Sequence, residues 1–208
     1  MSKKGESKDL IEFKIITLGD SGVGKTSIIK RYVYNKFDYN SINTIGISYS
    51  FKDVILPNGI TIQLKLIDTA GQEKYRSLSK SYFKHVNGAF FIFSLNDPST
   101  FANMEQWVND FNENKEDSKV NCQYLIGNKN DLEIKVKQEQ IEELKEKCNI
   151  KEYAPTSAKE DTNIGKIFGE MSQILYDDYM KKRKTKQKNI KLEGHKAKKK
   201  RCCLEGDL

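Results

Sequence analysis

Four short runs in this chain combine residue types and spacings that could hold a nucleoside triphosphate. The first, GDSGVGKT from Gly19 to Thr26, satisfies the phosphate-loop pattern G-x-x-x-x-G-K-[ST]. Glycines let successive backbone N–H groups converge on phosphate oxygens, the lysine reaches the terminal phosphates, and the hydroxyl at the positive start of a helix can ligate magnesium. Asp20, Ser21, Gly22, Val23, Gly24, Lys25, Thr26 and Ser27 are therefore the candidate phosphate-binding residues. A dinucleotide site fits less well, because Gly22-Val23-Gly24 lacks the third glycine of G-x-G-x-x-G.

The second run is Asp68-Thr69-Ala70-Gly71-Gln72-Glu73. A carboxylate at a strand end can hold a magnesium-bound water, the N–H of Gly71 can approach a γ-phosphate, and Gln72 could orient an attacking water. The third, Asn128-Lys129-Asn130-Asp131, offers a carboxylate that can accept two N–H groups at once. Guanine presents such a pair and adenine does not, so Asp131 would select guanine, with Asn128 tying loops together and the Lys129 stem covering the base. The fourth, Thr156-Ser157-Ala158-Lys159, would bring a backbone N–H near the guanine O6. Alone, N-K-x-D is a common surface turn, and a phosphate loop alone also suits an ATPase or a nucleotide kinase. The order and spacing of all four carry the reading.

The elements that must position these runs are legible from the apolar pattern. Beta-prone segments at Phe13–Leu18, Ile47–Leu56, Ile60–Ile67, Ala89–Leu95, Cys122–Ile126 and Glu152–Ala154 alternate, after a first hairpin, with helical ones. Helices are expected at Lys25–Tyr34, Ser79–Lys84, Phe101–Asn114, Gln138–Lys147 and Asn163–Met180. The second and third strands are separated only by Pro57-Asn58-Gly59, too short for a crossover, so they should pair antiparallel. The rest should be parallel, giving an α/β fold with a six-stranded sheet and helices on both faces. In the last helix Ile164, Ile167, Phe168, Met171, Ile174 and Leu175 form one apolar stripe.

With 208 residues the chain is long enough for one well-buried core, and we expect a single domain over residues 10–180 after a flexible start at 1–9. The formal charge is +7, but residues 1–180 carry 24 Lys+Arg against 26 Asp+Glu, and residues 181–208 carry 12 against 3. The excess belongs to a tail, expected to be disordered and solvated, which argues against a nucleic-acid-binding face on the domain. The four cysteines show no C-x-x-C spacing, so Cys122 and Cys148 read as reduced thiols rather than disulfide or zinc ligands. The N-terminus lacks a signal-peptide pattern, and no apolar run approaches a membrane span, so the protein should sit in the cytosol unless its C-terminus anchors it.

Together the four runs resemble the Ras superfamily of small GTPases over about residues 10–178, and Thr44-Ile45-Gly46, the string DTAGQEKYRSLSKSYF from Asp68 to Phe83, and Trp107 are most similar to the Rab branch. The resemblance implies a P-loop G-domain that binds GTP or GDP with Mg2+ and hydrolyses GTP slowly as a switch in vesicle trafficking. It implies that Thr26, Thr44 and, through water, Asp68 hold the metal, and that Thr44 closes only in the GTP state. It also implies Phe37 edge-on against guanine, although by itself Phe37 could equally anchor a loop in the core. A GTPase-activating protein, a nucleotide exchange factor and effectors at the switch regions are the implied partners, since no residue near Thr44 is an arginine that could serve as a built-in finger. A non-trafficking signalling GTPase, or a nucleotide-loaded module with little turnover, are the alternatives.

The chain departs from that pattern in places. Ile67 stands where the branch usually has tryptophan, Tyr49 takes the aromatic position after T-I-G, and Pro155 precedes T-S-A-K in place of glutamate. Cys202 and Cys203 follow Lys198-Lys199-Lys200-Arg201, resembling a doubly prenylated pair, yet Leu204 to Leu208 follow them. Two lipids with a basic stretch would anchor the protein to the cytoplasmic face of an intracellular membrane, because one chain alone is marginal.

Overall fold

The computed structural model describes residues 10–39, 44, 46–70, 82–116 and 122–202, with side chains described up to residue 185. Six strands form one sheet: β1 (Ile11–Leu18), β2 (Ile47–Ile55), β3 (Thr61–Thr69), β4 (Gly88–Ser94), β5 (Cys122–Asn128) and β6 (Glu152–Pro155). Their order is β2-β3-β1-β4-β5-β6, with β2 antiparallel to β3 and the other pairs parallel. The β2–β3 turn is closed by the Gly59 N–H donating to the Leu56 carbonyl at 2.8 Å.

Strand periodicity sorts the apolar residues into two cores. From β1, Phe13 and Ile15 enter one core and Ile16 and Leu18 the other; from β4, Phe90 and Ile92 separate from Phe91 and Phe93 in the same way. All of β4 is buried, as expected of a parallel strand covered on both faces. The first core is closed by α1 (Lys25–Tyr34) and by α5 (Ile164–Cys202). The second is closed by α3 (Met104–Asn114) and α4 (Gln138–Cys148), with the short α2 (Pro98–Ala102) beside them. Loops from the carboxyl ends of β1, β3, β5 and β6 thus open on one rim, where such sheets bind ligands.

Differences from the sequence expectation lie at element ends. β3, β5 and β6 run on into polar residues or proline, since Thr69 pairs with Ile47, Asn128 with Ser94 and Pro155 with Gly127. Ladder hydrogen bonds do not require apolar side chains, and Pro155 is tolerated because β6 is an edge strand. The helix expected from Phe101 begins at Pro98, where Asp97 accepts the Ser99 N–H at 3.1 Å, and it is divided at Asn103. Of the expected helix Ser79–Lys84, only residues 82–84 are described, with Tyr82 and Phe83 helical.

The last helix runs to Cys202 rather than Met180. Its packed stripe is nonetheless the expected one, with Ile164, Ile167, Phe168, Met171 and Leu175 buried and Tyr179 and Met180 completing it. Residues 181–185 are exposed, and lysine, which dominates the segment that follows, is a competent helix former. No described helix is long and apolar enough to cross a membrane.

Candidate functional site

A cavity of about 460 Å3 opens on the rim, lined by Ser21, Gly22, Gly24, Lys25, Thr26, Ser27, Phe37, Thr44, Asn128, Lys129, Asp131, Ala158 and Lys159 among the expected residues, and also by Asp38, Tyr39, Thr69 and Leu132. The loop at one end is shaped by glycine. Gly24 caps α1 at φ +99°, and a Cβ there would collide with the Asn128 side-chain amide. Gly19 is as constrained, since a Cβ would run into the Ile92 carbonyl.

Lys25 is buried, and its Nζ donates to the carbonyls of Gly19 at 2.9 Å and Asp20 at 2.8 Å. Burial pushes its ammonium down to about 8, against the upward pull of Asp68 and Asp20. Asp68, at the end of β3, is displaced in the opposite sense: burial raises its carboxyl, opposed by the Thr26 hydroxyl and by Lys25. Thr26 Oγ1 donates to Asp68 Oδ2 at 2.7 Å, so its one proton is committed and Thr44 must donate to Thr26 across 2.6 Å. Asp68 Oδ1 is buried without a hydrogen bond among the described residues. Two hydroxyls and a carboxylate with an orphaned oxygen are the hard donors that magnesium prefers, so these residues fit the ion. A lysine and an aspartate both drawn toward neutrality match a site whose ligand brings charges of both signs.

The other end of the cavity is held by side chains from distant segments. Asn128 Nδ2 donates to the Val23 carbonyl at 2.8 Å, and its Oδ1 accepts from the Thr156 hydroxyl at 3.2 Å and the Ala158 N–H at 3.3 Å. It thereby joins the loops after β1 and β6. The Asp131 side chain is 6% exposed, with Oδ1 accepting from Ser157 Oγ at 2.6 Å and Oδ2 at 3.9 Å from Lys159 Nζ. Phe37 meets Tyr39 edge-on at 5.1 Å, and Lys159 Nζ lies 5.8 Å from the Tyr39 ring. Lys129 sits in the left-handed region at φ +63°.

Some expected residues contribute differently. Val23 packs its side chain into the core and offers its carbonyl, while Asp20 turns its carboxylate away from the cavity to Asn103 and Trp107, both at 2.7 Å. Ser157 does not line the cavity but orients Asp131. Gly71, Gln72 and Cys203 lie outside the described residues, as does the side chain of Cys202. Ile67 is buried in the second core, leaving Tyr49 exposed beneath Lys65, whose Nζ is 4.5 Å from the ring.

Sequence reasoning missed Arg31. From α1 its Nε donates to the Ala158 carbonyl at 2.8 Å and its guanidinium to the Lys159 carbonyl at 2.9 Å, clamping the loop after β6. Nothing in the local pattern marks it, since these carbonyls are 127 and 128 residues away. Tyr39 had a weak signal, lying two residues from Phe37.

Comparison with known proteins agrees with this geometry. A model of the Ras family matches residues 14–177. The Ras-related protein SEC4 of Saccharomyces cerevisiae is 37% identical over 177 residues, covering 85% of this chain and 80% of its own. RabC of Dictyostelium discoideum is 33% identical over 196 residues, 93% of this chain and 98% of its own, and Rab-11B of the same organism 36% over 166, 78% and 73%. With a triphosphate-type loop, a guanine-type loop and relatives that span most of its length, the chain belongs to the Ras family as a Rab-like small GTPase.

Proposed function

We propose that the protein is a molecular switch of intracellular vesicle trafficking, and that the rim cavity holds GTP or GDP with the phosphates at the Lys25 end and guanine at the Asp131 end. The observation that carries this is the gathering of Lys25, Thr26, Thr44 and Asp68 at one end and Asn128, Asp131 and Ala158 at the other. Lys25 would exchange its carbonyl partners for terminal phosphate oxygens. Thr26, Thr44 and, through water, Asp68 would hold magnesium, which when bound neutralises charge across the phosphates.

Asp131, held by Ser157, would accept the two guanine N–H groups. The Ala158 N–H is only loosely engaged at 3.3 Å and could turn to the guanine O6. Phe37 would pack edge-on against the base and the Lys129 stem would cover it. Gln72 would orient the attacking water and Gly71 would sense the γ-phosphate, so that Thr44 and the segment after Asp68 close with GTP and release after hydrolysis. An activating protein would supply an arginine, an exchange factor would open the site, and effectors would read Tyr49 and the switch segments. Ile67 in place of tryptophan changes that surface without touching the nucleotide. The basic segment after Met180 would serve as the tether and Cys202 and Cys203 as the lipid sites.

Competition of GDP against ADP, followed by single-turnover phosphate release with and without an activating domain, tests the nucleotide reading. Equal affinity for the two would sink it. Gln72→Leu should hold the protein in the GTP form, and unchanged hydrolysis would remove Gln72 from its role. For the anchor, an N-terminal fluorescent fusion should lose its membrane pattern when both terminal cysteines become serine, and an unmodified C-terminal peptide by mass spectrometry would refute lipidation.

A further inference from the structure

Asp20 is a carboxylate inside a loop built for anions, and both of its oxygens are committed elsewhere. Oδ1 accepts from Trp107 Nε1 and Oδ2 from Asn103 Nδ2, each at 2.7 Å, across 87 and 83 residues of chain. Both donors come from the start of α3, on the face of the sheet opposite to α1. Trp107 is 1% exposed and wedged in the second core with Met104, Val108 and Phe111, so its indole has little freedom to follow the loop. The same residue, Asp20, presents the backbone carbonyl that receives Lys25 Nζ at 2.8 Å. A continuous path thus runs from the second core through Trp107 and Asp20 to the lysine at the phosphate end.

We propose that Trp107 and Asn103 are positioning residues for the phosphate loop, acting through the Asp20 carboxylate to hold the loop in place, and so setting how long the nucleotide stays bound. This rests on the guanine-nucleotide reading above. A neutral loop residue could be held by packing alone. A carboxylate beside a triphosphate is repelled by it, and two donors fixed in α3 keep it turned outward while leaving the loop N–H groups free. Charge-assisted hydrogen bonds to a carboxylate are the stronger class, and a buried indole N–H left without an acceptor is penalised.

The test is dissociation of mant-labelled GDP from the full chain, chased with unlabelled GDP, in a double-mutant cycle. Trp107→Phe keeps the aromatic packing and removes the donor, while Asp20→Ala removes the acceptor. Trp107→Phe should release mant-GDP about tenfold faster than the parent, the scale of one charge-assisted hydrogen bond. Asp20→Ala, which loses both bonds, should also release it faster than the parent, and the double variant no faster than Asp20→Ala alone. Multiplying effects in the double variant would mean that Trp107 acts by packing and would overturn the proposal, as would single variants that release at the parental rate. Should Trp107→Phe melt below the assay temperature, Asn103→Ala, at an exposed position between two helices, closes the same cycle with Asp20→Ala. A parent chain that cannot retain mant-GDP overturns the guanine-nucleotide reading together with this inference. Retention by the parent with unaffected variants overturns this inference only.

Discussion

The two ends of the cavity are built on different principles. The phosphate end is the loop between β1 and α1, met by Asp68 from the end of β3 and by Thr44, with Lys25 and Asp68 buried and each pushed toward its neutral form. Charge there is desolvated and awaits counter-charge, so single side chains should carry large energies. The base end is assembled from the loops after β5 and β6 and from α1, joined by side-chain hydrogen bonds, one of them to the Asp131 carboxylate, and by one guanidinium clamp. Energy there is spread over several modest contacts, and selectivity depends on relative placement. Asn128 is the hinge between the two, because its amide bonds one loop and its carbonyl oxygen the other.

Variants can sharpen or break that contrast. Lys25→Ala should have the largest effect, weakening GDP binding by roughly a hundredfold or more, since it leaves phosphate charge uncompensated in a desolvated site. An isothermal titration showing less than a tenfold loss would mean that backbone N–H groups carry the phosphate end alone. Asp131→Asn should cost guanine nucleotides on the order of 2 kcal/mol and favour xanthine, whose 2-oxo group accepts where guanine donates. Competition of XDP against GDP reads the exchange directly, and an unchanged preference would break the assignment of Asp131 to the base.

Asn128→Ala should fall between these in kind, because it disturbs both ends. The Val23 carbonyl and Ala158 N–H each lose a partner, so roughly tenfold faster nucleotide release and a lowered melting temperature are expected together. Faster release without a change in melting would make Asn128 a ligand contact rather than a link. Chelation of magnesium is expected to accelerate release of GDP while leaving weak guanosine binding unaltered, and a matching loss of both would contradict separate ends. The smallest effect is expected for Arg31→Ala, a few-fold faster release of guanosine and GDP alike. Arg31→Lys should not restore it, since one ammonium cannot match a fork aimed at two carbonyls.

Legibility in the sequence follows the same division. The strand–loop–helix around Gly19–Thr26 could be read directly, since its residues are adjacent and their spacing alone brings glycine N–H groups, lysine and hydroxyl together. The antiparallel pairing of β2 with β3 could also be read, because Pro57-Asn58-Gly59 leaves no room for a crossover. Element ends could not, as at Asn128 and Pro155, where the ladder continues past the last apolar residue. Arg31, Asn103 and the hydrogen bond of Trp107 to Asp20 were equally out of reach, for each reaches its partner across scores of residues.

By itself, then, the sequence determined the chemistry of the groups and the local turns that carry them, because covalent neighbours and hydrophobic period are written in order along the chain. Only the tertiary structure decided that Asp20 faces α3 instead of the cavity and that Arg31 fastens the loop beyond β6. Those placements depend on how two cores pack on opposite faces of one sheet, and packing brings together residues whose separation in sequence carries no signal of their contact.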